Sequence, residues 1–151
     1  MEKLPDRFSL HWTNDLSVGC VALDECNRQM FGELARVEQQ LTENSIEQLS
    51  RWLSTRLNQF ELLLHSEEKL LAAADYPELT FHQQLHWQAT EMIRHIRLQL
   101  AECTLHAALA LLVQNSCSQL ALWLMQHILD ADKLFFPYVD ARYLRLAEVN
   151  E

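Results

Sequence analysis

The chain has 151 residues, a formal net charge of −9 at pH 7 and 49% hydrophobic residues. This length is sufficient for one domain with its own hydrophobic core. The negative charge disfavours nucleic acid and anionic membrane surfaces as partners, because both would repel the protein. A small solute or another protein is the expected partner.

Turn-forming residues are scarce: the chain contains only two glycines and three prolines, among abundant Leu, Ala, Gln and Glu. This composition predicts an all-α fold made of a few long helices. We expect a single domain over residues 1–151, with an N-terminal arm at 1–23, a four-helix bundle at 24–136 and a tail at 137–151 that holds one short helix.

Cysteine usage and the first residues indicate the cellular compartment. The four cysteines show no CxxC spacing, and the start MEKLPDRF lacks the apolar core of a signal peptide. We therefore expect reduced thiols and a cytoplasmic protein.

The first two predicted helices are marked by capping residues. Asp24 is a plausible N-cap for a first helix that runs to about Thr42. Ser45 with Gln48 three residues later forms a capping box and opens a second helix, which continues to about Ala74.

After the break DYP, Thr80 and Gln83 form a second predicted capping box and open a third helix. A fourth helix ends before Pro137. The boundary between the third and fourth helices is weakly marked, and lies near Thr104 or near Asn115.

No charged residue occurs between Cys103 and Leu129. A membrane span is disfavoured there, because the segment QNSCSQ and two histidines interrupt it. A helix covered on several sides explains the segment better. Either the tail or a second copy of the chain could cover it, so both a monomer and a homodimer stay open.

Three histidines lie on the apolar, inward-facing lines of their helices. His82 and His86 are four residues apart at the start of the third helix, and His127 lies late in the fourth. On the second helix the inner line includes Glu67, with Arg56 as its other charged residue. A buried Glu67 needs a partner.

An up-down-up-down bundle brings these positions together. Asn27 and His82 are early in their helices, whereas Glu67 and His127 are late in theirs, so all four meet at one end of the core. Asp132 follows His127 by five residues, about 140° around an ideal helix. It reaches the same place only if the helix end loosens or the carboxylate bends inward.

Three imidazoles and two carboxylates in an apolar interior indicate a metal site, since two carboxylates would neutralise a divalent ion. The set Glu67, His82, His86, His127 and Asp132 suits iron(II), manganese(II) or zinc(II). The alternative is that Glu67 is a buried carboxyl group with a raised pKa, or pairs with Arg56.

Three other histidines, Cys26 and three large aromatic residues are not expected to be metal ligands in the predicted bundle. His65 and His95 are expected at the surface, and His106 on the inner line as a structural residue. Cys26 is expected to be an inert buried thiol, and a substitute ligand only if the first helix rotates. Three aromatic residues are expected in the core: Phe60, Trp87 and Trp123.

The segments FSLHWTNDLSVGCVALD, EEKLLAAADYP, HQQLH and WLMQHILDADKLFFPY resemble bacterial hemerythrins, which are non-haem di-iron, oxygen-binding helical bundles. The resemblance covers roughly residues 8–138. It implies that His82, His86 and His127 hold one iron, and that Glu67 and Asp132 bridge it to a second.

The same resemblance places the histidine ligands of the second iron at Asn27 and Leu63. Leucine cannot coordinate a metal, and an amide oxygen is a weak ligand. We therefore expect one ion, iron, with zinc or manganese as alternatives. Oxygen carriage in that family uses one electron from each of two irons, so carriage of that kind is not expected here.

The expected function is a hemerythrin-like, mononuclear iron protein that binds or senses O2, NO, superoxide or peroxide. The alternative is a structural or protein-interaction bundle whose site is vestigial or filled by zinc. We do not expect an enzyme in the strict sense, and weak superoxide or peroxide chemistry at the metal is the third hypothesis.

Overall fold

The computed structural model describes residues 12–135 and 137–139 of the chain. The regular secondary structure of this part is entirely helical, with no strand, which confirms the all-α prediction. Its helices are α1 (Val21–Ala35), α2 (Val37–Glu43), α3 (Ile46–Ala73), α4 (Leu79–Glu102) and α5 (His106–His127), with a short 3-10 helix (Asn14–Leu16) before them and a π-helical turn (Ile128–Asp132) after them.

The first helix begins earlier than predicted, and it is interrupted. Asp24 is not its N-cap: it lies in the first turn of α1, where its carboxylate accepts hydrogen bonds from the Ser17 hydroxyl and the Val18 N–H. Cys20 precedes the helix instead. Arg36 leaves helical geometry and separates α1 from α2.

The start of α3 agrees with the prediction. The Ser45 side chain accepts a hydrogen bond from the Gln48 N–H, and the Gln48 side chain accepts one from the Ser45 N–H at 2.9 Å. This confirms the capping box, which satisfies two N–H groups at the helix start that have no partner within the helix.

The turn between α3 and α4 corrects the second predicted capping box. Asp75 has a positive φ of 54°, and the Tyr76 N–H donates to the Leu71 carbonyl at 3.0 Å, which closes the end of α3. The next helix then begins at Leu79, so Thr80 is already helical and caps nothing.

The four long helices α1, α3, α4 and α5 form the bundle. Short connections at residues 74–78 and 103–105 reverse the chain between α3, α4 and α5, so the boundary near Thr104 is confirmed. Leucines dominate the buried core, and the largest fully buried side chains include Phe60, Phe135, Leu49, Leu53, Leu57, Leu71, Ile93, Leu120 and Leu124.

The burial predicted for two side chains, Trp87 and His106, is wrong. Trp87 is 64% exposed, because it lies a quarter turn away from the buried line that contains His86 and Ala89. His106 is exposed because it is the first residue of α5, where that helix has only begun to pack. His65 and His95 are exposed, as expected.

The segment His106–Phe135 is long and apolar enough to cross a membrane by length and composition alone, as are the core helices of many soluble proteins. Here its inner face, from Leu109 to His127, is packed in the bundle core. Several of its apolar side chains are exposed, among them Leu111, Leu122, Leu129 and Leu134. Residues 137–139 are helical, and the remainder of the predicted tail helix lies outside the described residues, as do residues 1–11 of the predicted arm.

Candidate metal centre

Four side chains from three helices meet in the core near one end of the bundle. Glu67 comes from the last two turns of α3, His82 and His86 from the first two turns of α4, and His127 from the end of α5. All four are buried, and their ligand atoms lie within 4.8 Å of one another. The antiparallel run of these helices places them together, as the sequence predicted.

Glu67 Oε1 lies at the centre of the cluster. It is in very short contact with His82 Nε2, and it lies 3.0 Å from His86 Nε2 and 3.3 Å from His127 Nε2. The rings also approach one another: His127 Nε2 is 3.0 Å from His86 Nε2 and 3.2 Å from His82 Nε2. The three Nε2 atoms therefore face the same small volume.

Asp132 joins the cluster because the chain leaves α-helical geometry after His127. The turn Ile128–Asp132 is π-helical, and five residues complete about one turn in such a helix. Asp132 Oδ1 therefore lies 2.9 Å from His127 Nε2 and 3.4 Å from His82 Nε2. A loosened helix end, one of the two routes predicted for this residue, is what the structure shows.

Hydrogen bonds alone do not account for these contacts. A neutral imidazole carries one N–H, and His86 uses its Nδ1–H to donate to Glu68 Oε1 at 2.8 Å. Its Nε2 then presents a lone pair to Glu67 Oε1 and to His127 Nε2. Neither carboxylate oxygen of Asp132 makes a well-aligned hydrogen bond to any described residue.

A shared cation would resolve this arrangement. Metal–ligand bonds of about 2.1 Å separate neighbouring ligand atoms by about 3.0 Å in an octahedron and about 3.4 Å in a tetrahedron. The separations given above between 2.9 and 3.4 Å match these edges. The donor set, three imidazoles and two carboxylates, also has the composition that divalent first-row metals prefer.

The electrostatics of the cluster indicate the same need for positive charge. Burial alone would raise the pKa of Glu67, but hydrogen bonds from His127 and His82 outweigh it and hold that pKa well below its usual value. Burial alone would lower the pKa of His127, but Asp132 and Glu67 raise it to about 9. Burial, together with the charge of Glu67, raises the pKa of Asp132 well above its usual value. The raised pKa values of His127 and Asp132 both favour proton binding, which offsets the negative charge of the two carboxylates as a bound cation would.

Aromatic side chains enclose the cluster. Trp123 stacks on the His127 ring with 4.5 Å between centroids and an angle of 15°, and it also contacts Phe60 edge-on. Phe135 and Tyr76 lie edge-on to His82 at 5.5 and 6.4 Å. These rings restrict the orientations open to the histidines and keep bulk water away from them.

The two positions that the family resemblance assigns to a second metal ion, Asn27 and Leu63, carry no strong ligand. Asn27 is buried in α1, and its Oδ1 has no hydrogen-bond partner among the described residues. Leu63 is half-buried and lines a groove of about 490 Å³ between α1 and α3, beside Met30 and Cys26. Cys26 itself is exposed on this groove, so the expectation of a buried thiol is wrong, and it is not part of the histidine cluster.

The alternative pairing of Glu67 with Arg56 does not occur. Arg56 forms a salt bridge with Glu33 of α1 and lies over the Trp52 ring, 5.3 Å from its centroid. The prediction that Glu67 is a buried carboxyl group with a raised pKa is also wrong, because the pKa of Glu67 is lowered.

Sequence reasoning missed one functional candidate, Glu68. Its carboxylate contacts the outer nitrogen of His86, on the side of the ring away from Glu67. The available signal was the pair EE at 67–68: consecutive helical residues are about 100° apart, so when one points into the core the next can reach the neighbouring helix.

Fold and site together define a metal-binding helical bundle whose buried cluster is built from histidines and carboxylates. Residues 19–139 match the family description "Hemerythrin HHE cation binding domain". The chain therefore belongs to the hemerythrin family. No curated protein sequence matches it significantly.

Proposed function

We propose that this protein binds a single iron ion and uses it to bind or sense a small oxygen-related molecule: O2, NO, superoxide or peroxide. The five ligands are Glu67, His82, His86, His127 and Asp132. The observation that carries the proposal is the convergence of these buried side chains, together with the two carboxylate oxygens of Asp132 that make no well-aligned hydrogen bond to any described residue.

The chain's residues have distinct roles in this proposal. The two carboxylates would neutralise the charge of a divalent ion, and the three neutral imidazoles would supply the remaining protein ligands, which would leave a position for one small exogenous molecule. When bound, iron supplies a Lewis-acidic, one-electron redox centre at that position. Trp123 and Phe135 hold the His127 and His82 rings in place and keep the surroundings apolar.

One ion is proposed, not two, because of Asn27 and Leu63. The hydrocarbon side chain of Leu63 cannot coordinate, and the Asn27 amide oxygen is a weaker ligand than an imidazole. Reversible oxygen carriage that draws on two irons is therefore not part of the proposal. A sensor or binding protein, and not an enzyme in the strict sense, fits a site in which no nucleophile or catalytic base apart from the cluster is evident among residues 12–135 and 137–139.

A second candidate is a protein-interaction bundle with a structural, zinc-filled or vestigial site. Exposed apolar side chains on and just after α5 favour it: Leu111 and Leu122 on the helix, and Leu134 beyond the π-helical turn. With this apolar surface exposed, the protein could be a monomer or a homodimer. A cytoplasmic location is part of the proposal in either case. Sedimentation at high micromolar concentration decides between these two states.

Binding of NO to the iron(II)-loaded protein tests the proposal directly. We expect an electron paramagnetic resonance signal and a visible absorption band that titrate with NO and saturate at one per iron. The His86→Ala variant is the negative control. If iron(II)-loaded protein shows no NO-dependent spectral change, or if only zinc is retained through purification, the second candidate is favoured.

A further inference from the structure

We infer that Glu68 is a positioning residue for the metal site: it fixes the His86 ring so that Nε2, and not Nδ1, faces the metal. This inference rests on the proposed function only for its consequence on metal affinity. The geometric part concerns two side chains of the metal-free protein.

One imidazole is held at both ends by consecutive carboxylates of α3. Glu67 Oε1 lies 3.0 Å from His86 Nε2 inside the core, and Glu68 Oε1 lies 2.8 Å from His86 Nδ1 at its edge. The side chain of Glu68 is 23% exposed, whereas that of Glu67 is 4% exposed. Glu68 therefore stands between the ligand ring and the solvent.

The chemistry of the contact fixes the ring's tautomer. An ionised carboxylate only accepts hydrogen bonds, so Nδ1 must carry the proton and donate it to Glu68. In the neutral ring Nε2 then holds the lone pair that a metal needs. A carboxylate at the outer nitrogen also makes the ligand more basic, and loss of such a partner typically weakens metal affinity by about 10- to 100-fold.

His86 differs from the other two histidines in this respect. Among residues 12–135 and 137–139, no carboxylate contacts Nδ1 of His82 or of His127. His82 and His127 are instead restrained by ring contacts with Phe135 and Trp123. His86 contacts the other two histidine rings, but among described residues outside the cluster its ring contact is a more distant one with Trp123, at 6.3 Å, so the Glu68 hydrogen bond is its main external restraint.

A matched control exists on the same helix. Glu61 of α3 also pairs across to α4, through Arg97 at 3.2 Å, but touches no member of the cluster. Comparing Glu68→Ala and Glu68→Gln with Glu61→Gln separates the effect of the His86 contact from the general effect of losing a carboxylate between α3 and α4.

The test uses two readouts on the full chain. Two-bond ¹H–¹⁵N correlation spectra of the metal-free protein, recorded above neutral pH, report the tautomer of His86, and cobalt(II) titration reports metal affinity. We expect the Nδ1–H tautomer in the wild type and in Glu61→Gln, and a mixture of tautomers in Glu68→Ala. We expect cobalt(II) affinity to fall about 10- to 100-fold in Glu68→Ala and by less in Glu68→Gln, which retains an acceptor.

The outcomes are distinguishable. A wild-type tautomer and wild-type affinity in Glu68→Ala would overturn the inference, as would an equal loss of affinity in Glu61→Gln. A tautomer change in Glu68→Ala with no cobalt(II) binding even by the wild type would support the positioning role while defeating the proposed function.

Discussion

Asp132 follows His127 by five residues, yet its Oδ1 lies 2.9 Å from His127 Nε2. In an α-helix these residues would point about 140° apart. The π-helical turn Ile128–Asp132 absorbs one additional residue and returns Asp132 to the face of His127. Single π-helical turns of this kind often occur at functional sites, and here the turn completes the cluster.

Removal of the exposed Leu129 tests the role of the π-helical turn. The deletion should restore a regular α-helix in which the aspartate follows His127 by four residues, on the same face. We expect metal affinity, measured by cobalt(II) titration, to be retained. Insertion of one alanine after Leu129 should instead rotate the aspartate away and weaken binding. Loss of binding on deletion, in a variant that keeps its helical circular dichroism, would contradict this account.

Replacement of His86 by alanine should abolish metal binding and lower the melting temperature of the metal-loaded protein, because metal affinity is coupled to folding. His95 lies on the same helix but is exposed, so His95→Ala is the matched control. Calorimetric scans with and without metal provide the measurement. Equal metal-dependent stabilisation of both variants would show that the site has been misplaced.

The stability of the metal-free protein should depend on pH through His127. Its folded-state pKa of about 9 lies above the ordinary value of 6.5, because contacts with Asp132 and Glu67 more than offset burial. The stabilisation is therefore fully present below pH 6.5 and lost as pH rises through about 9. A shift of this size corresponds to about 3 kcal/mol.

Urea unfolding at several pH values measures this dependence. We expect the free energy of unfolding of the metal-free wild type to decline between pH 6.5 and 9, and the His127→Gln variant to lack this part of the decline. Saturation with metal should also remove it, since the cation displaces the proton. A flat profile in the metal-free wild type would show that His127 does not carry the proton.

Restoring imidazoles at Asn27 and Leu63 tests why one ion is expected. The Asn27→His/Leu63→His double variant should bind two metal ions per chain, whereas each single variant should bind one, because a lone added imidazole completes only part of a second site. Metal titration followed by isothermal calorimetry gives the stoichiometry. Two ions bound by the wild type, or one by the double variant, would contradict the assignment.

Sequence reasoning was sufficient for the fold and for the meeting point of the cluster. Both depend on periodicity and on the short connections between helices, which are local properties. The Ser45 capping box was predictable for the same reason. The Thr80 box was not, because the preceding turn, with its positive φ at Asp75, lets α4 begin at Leu79.

What could not be predicted depends on tertiary packing. The approach of Asp132 required a π-helical turn, which has no clear sequence signature. The contact between Glu68 and His86 depends on how α3 and α4 are rotated against each other. Unlike these two features, the exposure of Trp87 was predictable from its angle to His86. The expectation of a buried Trp87 was wrong because it followed the general preference of tryptophan for protein cores.

Metal content is the most direct test of the central claim. The protein should be expressed with iron supplied, purified without added metal and analysed by mass spectrometry, with chain concentration from amino-acid analysis. The account predicts about one iron per chain, reduced to background in His86→Ala. A ratio near two, or zinc in place of iron, or no metal in a correctly folded chain, would contradict it.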